Sequence, residues 1–404
     1  MKLMFKTALF VVLIFAVVAA VSFSSGFGGG EAREAMLAEA NLFFWAEPME
    51  DLEYTGVVDD YIEPQVSYEY DGEFQENYGY SDVYEYDYGY YEYDEECPYT
   101  VTILLSAAGD TTLGGDSRWA GYHAFMREFR ESGGDHSIFL ANVAHIFRES
   151  DLSVLNLEGV LTNITYPHMD KPFVFRGPTH FAQILSSSYI DVVSIANNHT
   201  IDFFERGMRD TRAALTYEGV AYFGNEFNTI MEVNGIKVGL FGFRIWHDGV
   251  DNQNRITRAI EDLRGRGAQL IIAFHHWGVE RENFPERYQI NIGRHSIRAG
   301  ADLVLGAHPH VLQGIEEYQG RFIVYSLADF CFGGNAHPDD QDTMIFQQTF
   351  TFYRGVLQRD NDINIIPAFM SSVRYRNDFR PTIAEGEEAE RIMARLERYS
   401  EPLN

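Results

Sequence analysis

The stretch VTILLSAAGD, residues 101–110, opens the folded part of the chain and decides its class. Its apolar run is typical of a buried strand, and the strand leads into an acidic side chain, Asp110. Similar short apolar runs recur at 152–155, 192–195, 237–241, 269–274 and 303–305. Amphipathic stretches between or after them predict helices over 138–147, 205–217, 256–266, 288–298 and 387–399. Strands that alternate with helices predict an α/β layered fold, in which functional residues gather at the carboxyl ends of strands.

Polar side chains follow five of the predicted strands, and all are of types that bind divalent metal ions. They are Asp110, Glu158, Asn198, His199, His276, His308 and His310. Any one of them alone is also typical of a turn, a helix cap or a hydrogen-bonded structural residue. Because functional loops meet at the carboxyl ends of strands in α/β folds, the whole set predicts a metal site.

The spacing of these residues suggests a mechanism. His308 and His310 are two positions apart, so in an extended segment both side chains would share one face and point at one metal cluster. Two metals bridged by a carboxylate would lower the pKa of a shared water and clamp a phosphoryl group. His199 would then act as general acid to the leaving oxygen. His275 is expected to face the other way, because adjacent strand residues point to opposite faces.

Residues 1–30 have the composition of an export signal. Lys2 and Lys6 precede seventeen almost wholly apolar residues, 7–23. This length is near the lower limit for a membrane-spanning helix and exceeds the usual apolar region of a cleaved signal peptide. The sequence therefore predicts a single-pass anchor in the cell membrane, with the bulk of the chain outside the cytoplasm. If the segment is cleaved, the protein is secreted instead.

An acidic, tyrosine-rich linker is predicted over residues 31–98, and a folded domain over 99–404. Residues 47–96 hold eighteen acidic residues, and no Lys or Arg lies between Arg33 and Arg118. Self-repelling acids with glycine indicate an extended, disordered spacer; a cation-binding or wall-binding tail is the alternative. With a formal charge of −29, the chain offers no basic stripe for phosphate backbones, so nucleic acid is not expected as a partner.

Several motifs occur together in a fixed order. They are GD (109–110), NLEG (156–159), KPF (171–173), FRGP (175–178), ANNH (196–199) with Asp202, HWG (276–278) with Glu280, GAHPH (306–310) and YSL (325–327). From Val101 to about Leu396 the chain thereby resembles the bacterial CapA family, the poly-γ-glutamate capsule synthesis proteins. The domain of that family is similar to the calcineurin-like metallophosphoesterases.

The resemblance implies a fold, a role and a set of site residues. The fold would be a four-layer α/β/β/α sandwich like that of metallo-dependent phosphatases, preceded by the membrane anchor and the disordered linker. The role would be extracytoplasmic, in making or exporting anionic poly-γ-glutamate beside membrane polymer-synthetase subunits. Divalent ions, either Mn, Zn or Fe, would be bound by Asp110, Glu158, Asn198, His276, His308 and His310, with His199 as the acid. Lys171 and Arg176 would bind a substrate carboxylate or phosphate, or else form ordinary salt bridges.

The sequence departs from the phosphoesterase pattern at two positions. Thr111 and Thr112 follow Asp110, so the usual Asp-x-His is missing, and Glu158 stands where phosphoesterases have an aspartate. Asp329 is either an added ligand or a loop residue that makes hydrogen bonds. Two functions therefore remain open. The protein is either a metal-dependent, phosphoesterase-like hydrolase, acting in capsule synthesis or on another substrate, or a non-catalytic assembly subunit of a polymer synthetase.

Overall fold

Two large β-sheets, with helices packed against them, account for most of residues 100–167, 171–359 and 362–403, the parts of the chain that the computed structural model describes. The anchor predicted over 1–30 and the linker predicted over 31–98 lie outside these residues. Within the described ranges, no helix combines the length and the apolar composition that crossing a bilayer requires.

The helices and strands are numbered here in chain order. The α-helices are α1 (Ala120–Glu131), α2 (Ala144–Arg148), α3 (Ala182–Ser186), α4 (Phe204–Tyr217), α5 (Val250–Gly265), α6 (Arg287–Ala299) and α7 (Gly386–Ser400). The strands are β1 (Thr100–Thr112), β2 (Leu152–Leu157), β3 (Val160–Leu161), β4 (Arg176–Gly177), β5 (Val192–Ser194), β6 (Ala221–Phe223), β7 (Thr229–Val233), β8 (Ile236–Phe241), β9 (Leu270–His276), β10 (Leu303–Ala307), β11 (Ile315–Tyr318), β12 (Arg321–Val324), β13 (Asp329–Phe332), β14 (Asp342–Tyr353), β15 (Val356–Leu357), β16 (Asp362–Phe369) and β17 (Thr382–Ile383).

β1 is the central strand of the larger sheet, whose order is β17-β16-β14-β1-β2-β5-β6. It pairs in parallel with β2 and antiparallel with β14. β13 also pairs with β1, where Asp329 lies opposite Asp110. Every residue of β1 from Leu105 onward is buried, as expected for a strand that is covered on both faces. β1 therefore carries Asp110 into the interior of the domain.

The smaller sheet has the order β11-β12-β10-β9-β8-β7. Its central strands β8, β9, β10 and β12 run in parallel, so the loops after β9 and β10 leave from the same edge. α6 lies between β9 and β10 in the chain and has well-defined ends. Glu286 and Gln289 form a capping box at its start, and Gly300, with φ of 117°, ends it in a left-handed conformation.

The hydrophobic core has three main clusters. The first joins side chains of both sheets, among them Ile103 of β1 and Leu305 of β10. The second packs the larger sheet against helices α1 to α4, for example Leu155 against the cluster that contains Phe125. The third packs the smaller sheet against α5 and α6 and contains Ile260. The predicted mixed α/β fold is confirmed.

One predicted helix differs from the structure, and some of the observed helices have no predicted counterpart. The helix predicted over 138–147 is instead a 3₁₀ turn, His136–Phe139, followed by α2. Asp135 caps the 3₁₀ turn through the Ser137 N–H, and Asn142, in the intervening turn, donates to Thr382 instead of continuing a helix. α1 was not predicted, although Phe125 and Phe129 are four residues apart, as on one helix face.

Candidate metal centre

Side chains from both sheets meet where the ends of β1, β2 and β5 approach the ends of β9 and β10. Hydrogen bonds connect the two groups. Asp110 of β1 accepts from the backbone N–H of His308, which follows β10, at 3.0 Å. His276, the last residue of β9, has Nε2 2.7 Å from Oδ1 of Asn198, which follows β5. The predicted donors therefore lie in one cluster between the sheets.

Asp110 is held from three sides. Its Oδ1 accepts from Nδ2 of Asn156 at 2.7 Å, and its Oδ2 lies 3.2 Å from Nδ1 of His310. Burial raises the pKa of Asp110, but the hydrogen bonds from His310, Asn156 and the His308 backbone outweigh that effect and lower the pKa below its usual value. Asp110 is therefore a carboxylate at neutral pH.

Glu158, directly after β2, is fully buried and has no hydrogen-bond partner for either carboxylate oxygen within the described residues. Its neighbours are three histidine nitrogens. Oε1 lies 3.7 Å from His199 Nε2 and 3.8 Å from His276 Nε2, and Oε2 lies 4.0 Å from His310 Nδ1. Burial and the nearby Asp110 charge raise the pKa of Glu158 well above its usual value. A buried carboxylate without hydrogen bonds is costly unless a cation compensates it.

His308 and His310 do converge on the cluster, but not in the predicted extended conformation. Their φ angles are 96° and 58°, in the left-handed region that non-glycine residues rarely adopt. Pro309 lies between them. Strained backbone of this kind is concentrated at functional sites, where the surrounding structure holds it in place. A tight left-handed turn, instead of strand alternation, therefore aims both histidines at the cluster.

The three cluster histidines differ in their charge preference. Burial lowers the pKa of His308 to about 3, and burial together with His308 and His310 lowers that of His276 well below its usual value. Burial alone would also lower the pKa of His310, but Asp329, Glu158 and Asp110 outweigh it and raise the pKa well above the usual value. His276 and His308 are thus neutral imidazoles, the form that binds metals.

The donors fit a divalent metal ion. Three overlapping groups have ligand atoms within 4.8 Å of one another, namely Glu158, His308 and His310; Asp110, His310 and Asp329; and Asp110, Glu158 and His276. The Nδ1 atom of His308 also has no hydrogen-bond partner within the described residues. Carboxylate oxygens and imidazole nitrogens suit Mn, Zn and Fe alike. Because Asp110, Glu158 and His310 each belong to two of the groups, the groups form one connected set of donors.

His199 is oriented by a buried carboxylate. Its Nδ1 lies 2.6 Å from Oδ2 of Asp202, which also accepts from the backbone N–H of Phe175 at 2.6 Å. The ring stacks on Phe175 with centroids 4.1 Å apart. Burial lowers the pKa of His199 although Asp202 opposes this. Nδ1–H therefore points at Asp202, and Nε2 faces Glu158 and the metal cluster.

The two predicted substrate-binding residues lie in different surroundings. Lys171 donates from Nζ to Asp202 Oδ1 at 2.6 Å and to the backbone oxygen of Asn198, so it supports the loop that carries Asn198 and His199. Arg176 donates to the backbone oxygen of Thr162 at 3.4 Å, and its guanidinium lies over the rings of Tyr122 and Phe203. Lys171 thus forms a salt bridge, and Arg176 makes contacts within the domain. A substrate-binding role for either residue stays a prediction.

Asp329 lies in the cluster, where the interpretation of this residue as an added metal ligand requires it to be. Its Oδ1 lies 2.8 Å from Nδ1 of His310, and burial raises its pKa to about 6. Ala328 precedes it with φ of 65°. The parallel pairing of β13 with β1 brings Asp329 opposite Asp110, and this pairing has no sequence signal because β13 follows a loop, not a helix.

Neighbouring motif residues have packing roles. His275 points away from the cluster and lies 3.1 Å from the Ser296 hydroxyl, as strand alternation predicted. Trp277 is fully buried and donates from Nε1 to the backbone oxygen of Tyr325 at 2.8 Å. Cys331 is fully buried, and burial raises the pKa of its thiol. These residues build the framework around the cluster.

An open cleft of about 570 Å³ leads to the cluster. His199, His310 and Asp329 lie at its inner end, and Trp119, Phe173, Phe175 and Phe332 form much of its apolar lining. A second tryptophan, Trp246, covers His308 with ring centroids 4.8 Å apart. Neither Trp119 nor Trp246 was predicted from the sequence, where their only signal is that they are two of four tryptophans.

Comparison with known proteins agrees with the motif pattern. A family model described as "Bacterial capsule synthesis protein PGA_cap" matches residues 104–334, more than half of the chain. This range includes every residue of the cluster described above.

Three relatives illustrate the similarity. "PGA biosynthesis protein CapA" of Bacillus subtilis (strain 168) is 28% identical over 234 residues, which are 52% of this chain and 60% of the relative. "Capsule biosynthesis protein CapA" of Bacillus anthracis is 28% identical over 190 residues, 41% of this chain and 46% of the relative. A "probable polyglutamine synthesis accessory protein" of Mycobacterium tuberculosis is 25% identical over 209 residues, 45% of this chain and 55% of the relative. The chain thus spans about half the length of these relatives.

A solved structure, that of a hypothetical protein from Thermus thermophilus, covers 66% of this chain and 98% of its own. It is 15% identical, with a TM-score of 0.39. A similarity this low carries no argument about fold or function.

Proposed function

Because the chain belongs to the bacterial capsule synthesis protein family PGA_cap, we propose that it acts in the synthesis or export of poly-γ-glutamate through a metal-dependent, phosphoesterase-like site. The observation that carries the proposal is Glu158. Its two oxygens are buried without hydrogen bonds and face histidine nitrogens at 3.7 to 4.0 Å. A domain keeps such a costly arrangement when a cation occupies it.

The residues of the site have separable roles. Asp110, Glu158, Asn198, His276, His308 and His310 would hold the metal, and Asp329 would complete the set. When bound, divalent metal supplies Lewis-acid polarisation of a phosphoryl oxygen. Asn156 fixes Asp110 by its 2.7 Å hydrogen bond, and Trp246 shields His308 from solvent on one side.

His199 is the proton-handling residue of the proposed site. Asp202 holds Nδ1–H at 2.6 Å and stabilises the imidazolium, so Nε2 presents a proton to the leaving oxygen. Because burial lowers the pKa of His199, the ring is mostly neutral at pH 7, so Nε2 would first take the proton that the attacking water loses and then give it to the leaving oxygen. Lys171 neutralises Asp202 from the other side at 2.6 Å and keeps the loop in place.

The architecture and location extend the proposal. A four-layer α/β/β/α sandwich is supported by the core cluster that joins both sheets and by the two clusters that pack helices outside them. An anchor over 1–30 and a spacer over 31–98 would hold the domain 99–404 outside the cytoplasm, beside membrane polymer-synthetase subunits and the anionic polymer. Membrane fractionation and protease accessibility of the full chain in intact cells test this arrangement.

A non-catalytic assembly subunit is the second candidate. It is favoured by the missing Asp-x-His of phosphoesterases, since Asp110 is followed by Thr111 and Thr112. Both are buried, and the Thr112 hydroxyl donates to the backbone oxygen of Glu158 at 2.8 Å. These residues support the loop without offering an imidazole.

Polymer production by cells that lack the native protein separates the two candidates. His199→Ala and His308→Ala are expected to abolish complementation if the site is catalytic, whereas His145→Ala, an exposed histidine on α2, should complement fully. The metal content of the purified full chain, compared between wild type and His308→Ala, tests independently whether His308 helps to bind a metal ion. Full complementation by both site variants would exclude the catalytic proposal and leave the assembly role.

A further inference from the structure

The cleft has an aromatic wall that runs from its mouth to the candidate metal centre. At the mouth, the rings of Trp119 and Phe173 lie 5.7 Å apart and are tilted by 45°. Deeper in, Phe175 stacks on His199 at 4.1 Å, and Phe332 lies 5.0 Å from His310. Aromatic carbon therefore forms a continuous surface that ends at the proton-handling histidine.

The two outer rings are available to a ligand. Trp119 is 52% exposed and Phe173 is 47% exposed, although both are large apolar side chains. Both belong to loops, one before α1 and one before β4, and the Phe173 loop is fixed close by. Val174 donates its N–H to Asp116 at 3.0 Å, and Arg118 donates to the backbone oxygen of Pro172 at 3.0 Å. Exposed rings on a fixed backbone form a preorganised stacking surface.

The charges of the cleft are mainly acidic. Glu280, Asp329, Asp339 and Asp340 line it, with Arg281 as the one arginine or lysine among the lining residues in the described ranges. Arg281 lies 3.8 Å from Asp339, and Asp340 is paired with Arg395 of α7 at 2.6 Å. Three of the four carboxylates are paired, Asp339 with Arg281, Asp340 with Arg395 and Asp329 with His310. A polyglutamate chain carries a carboxylate on every residue, and among the lining residues in the described ranges no arginine or lysine without an acidic partner is available to bind it.

We propose that the cleft is the subsite for an aromatic ring carried by a phosphoester substrate, and that the polyanionic polymer is not the substrate of this site. The inference rests on the proposed phosphoesterase function, since the phosphoryl group is placed at the metal centre. A volume of about 570 Å³ accommodates a ligand of one to three rings. Trp119 and Phe173 bind the ring, while the inner residues bind the phosphoryl group.

Binding of two phosphonates to the full chain tests the ring subsite separately from the metal centre. We expect phenylphosphonate, titrated calorimetrically with Mn²⁺ present, to bind about tenfold more tightly than methylphosphonate. Trp119→Ala and Phe173→Ala should each weaken phenylphosphonate binding about threefold to tenfold and leave methylphosphonate unchanged. Trp119→Phe, which keeps a ring, should retain most of the affinity. Tyr217→Ala removes a highly exposed aromatic side chain of α4 and should change neither affinity.

The outcomes distinguish the ring subsite from the proposed function. Equal affinity for the two phosphonates in wild type would overturn the ring subsite while leaving the phosphoryl site intact. Hexylphosphonate that binds as tightly as phenylphosphonate, with the same losses in both variants, would also overturn it, in favour of an alkyl chain. If methylphosphonate does not bind but phenylphosphonate does and loses affinity in Trp119→Ala, the ring subsite stands and the phosphoesterase function fails. Failure of both compounds to bind would overturn both.

Discussion

Replacing Glu158 by Gln should stabilise the metal-free protein and remove its stabilisation by a divalent cation. Most substitutions of buried carboxylates destabilise a protein, so the expected sign is unusual. It follows from the environment of Glu158, which is fully buried, has no hydrogen-bond partner for either oxygen within the described residues, and faces the Asp110 carboxylate. Gln keeps the shape of the side chain and removes its charge.

The sign follows from the direction of the pKa shift. Burial and Asp110 raise the pKa of Glu158 well above its usual value, so the folded state binds this proton more tightly than the unfolded state. Glu158 therefore costs stability at every pH above its unfolded-state pKa, the cost grows until the pH reaches the raised pKa, and it is absent in the Gln variant. An unsatisfied buried polar group costs more when it is charged than when it is neutral, so replacing the carboxylate by a buried amide should recover about 1 kcal/mol. The free energy of unfolding of metal-free Glu158→Gln should exceed that of wild type by about this amount at pH 8.

A bound metal ion should increase the free energy of unfolding of wild type more than that of Glu158→Gln. A cation that binds only the folded state adds about 2.7 kcal/mol at a concentration of one hundred times its Kd. Wild type should gain this increment with Mn²⁺, and Glu158→Gln should gain little of it. At about 2–4 °C per kcal/mol for a domain near this size, the increment corresponds to a rise in Tm of several degrees.

Urea unfolding followed by tryptophan fluorescence, after EDTA treatment and with or without added Mn²⁺, measures all four free energies. Glu128→Gln is the matched control, because Glu128 is a buried carboxylate that accepts hydrogen bonds from Arg376 and Arg380 at 2.9 and 3.4 Å. That variant should lose about 1–3 kcal/mol with or without metal and keep the full Mn²⁺ increment. The reasoning is refuted if metal-free Glu158→Gln is less stable than wild type, or if it keeps the wild-type increment.

Three further predictions concern other parts of the domain. Asp202→Asn should lower kcat for a phosphodiester about 10- to 100-fold, with metal content unchanged, because it frees the His199 ring; a parallel loss of metal would contradict a positioning role. Burial raises the pKa of Asp342, but two arginines of α7 outweigh it and lower the pKa. These ion pairs therefore contribute stability above the unfolded-state pKa of about 3.9 that is lost as the pH falls through the folded pKa. Asp342→Asn should cost about 3 kcal/mol at pH 7 and flatten the pH dependence of the urea midpoint below about pH 4. A Cβ on Gly109 would lie 1.9 Å from the backbone oxygen of Ala328, so Gly109→Ala should lower the free energy of unfolding by about 3 kcal/mol in the same assay.

The donors of the site were predictable from the sequence because each lies at or just after the end of a short, mostly apolar run. Such a run is buried on both faces of its sheet. A carboxylate or imidazole at its end is therefore placed at the carboxyl edge of the sheet, where functional sites of α/β folds form. Asp110, Glu158 and His276 obey this logic, and the structure places them in one cluster. The alternation of side chains along β9 also predicted correctly that His276 faces the cluster and His275 does not, because that segment is a regular strand.

The turn at His308 and His310 was not predictable by the same logic. Two residues of spacing suggested an extended segment, whereas φ angles of 96° and 58° form a left-handed turn. Local preference disfavours this conformation for histidine, so tertiary contacts must hold it, among them the 3.0 Å hydrogen bond from the His308 N–H to Asp110. A contact between residues 198 positions apart leaves no local signal in the sequence.

The sequence also does not show which strands belong to which of the two sheets. This division determines how the site is built. Asp110 and Glu158 belong to the strand ends of the larger sheet, whereas His276, His308 and His310 belong to those of the smaller one. Neither sheet alone holds a complete group of ligands, since each of the three candidate groups takes members from both. The site therefore exists only when the two sheets pack through their shared hydrophobic cluster. Because cation binding then requires the global fold, the whole binding free energy adds to the stability of the domain. The same dependence explains how Glu158 can remain buried without a hydrogen-bond partner among the described residues. The packing of the two sheets stabilises the domain enough to carry this carboxyl group until a cation binds.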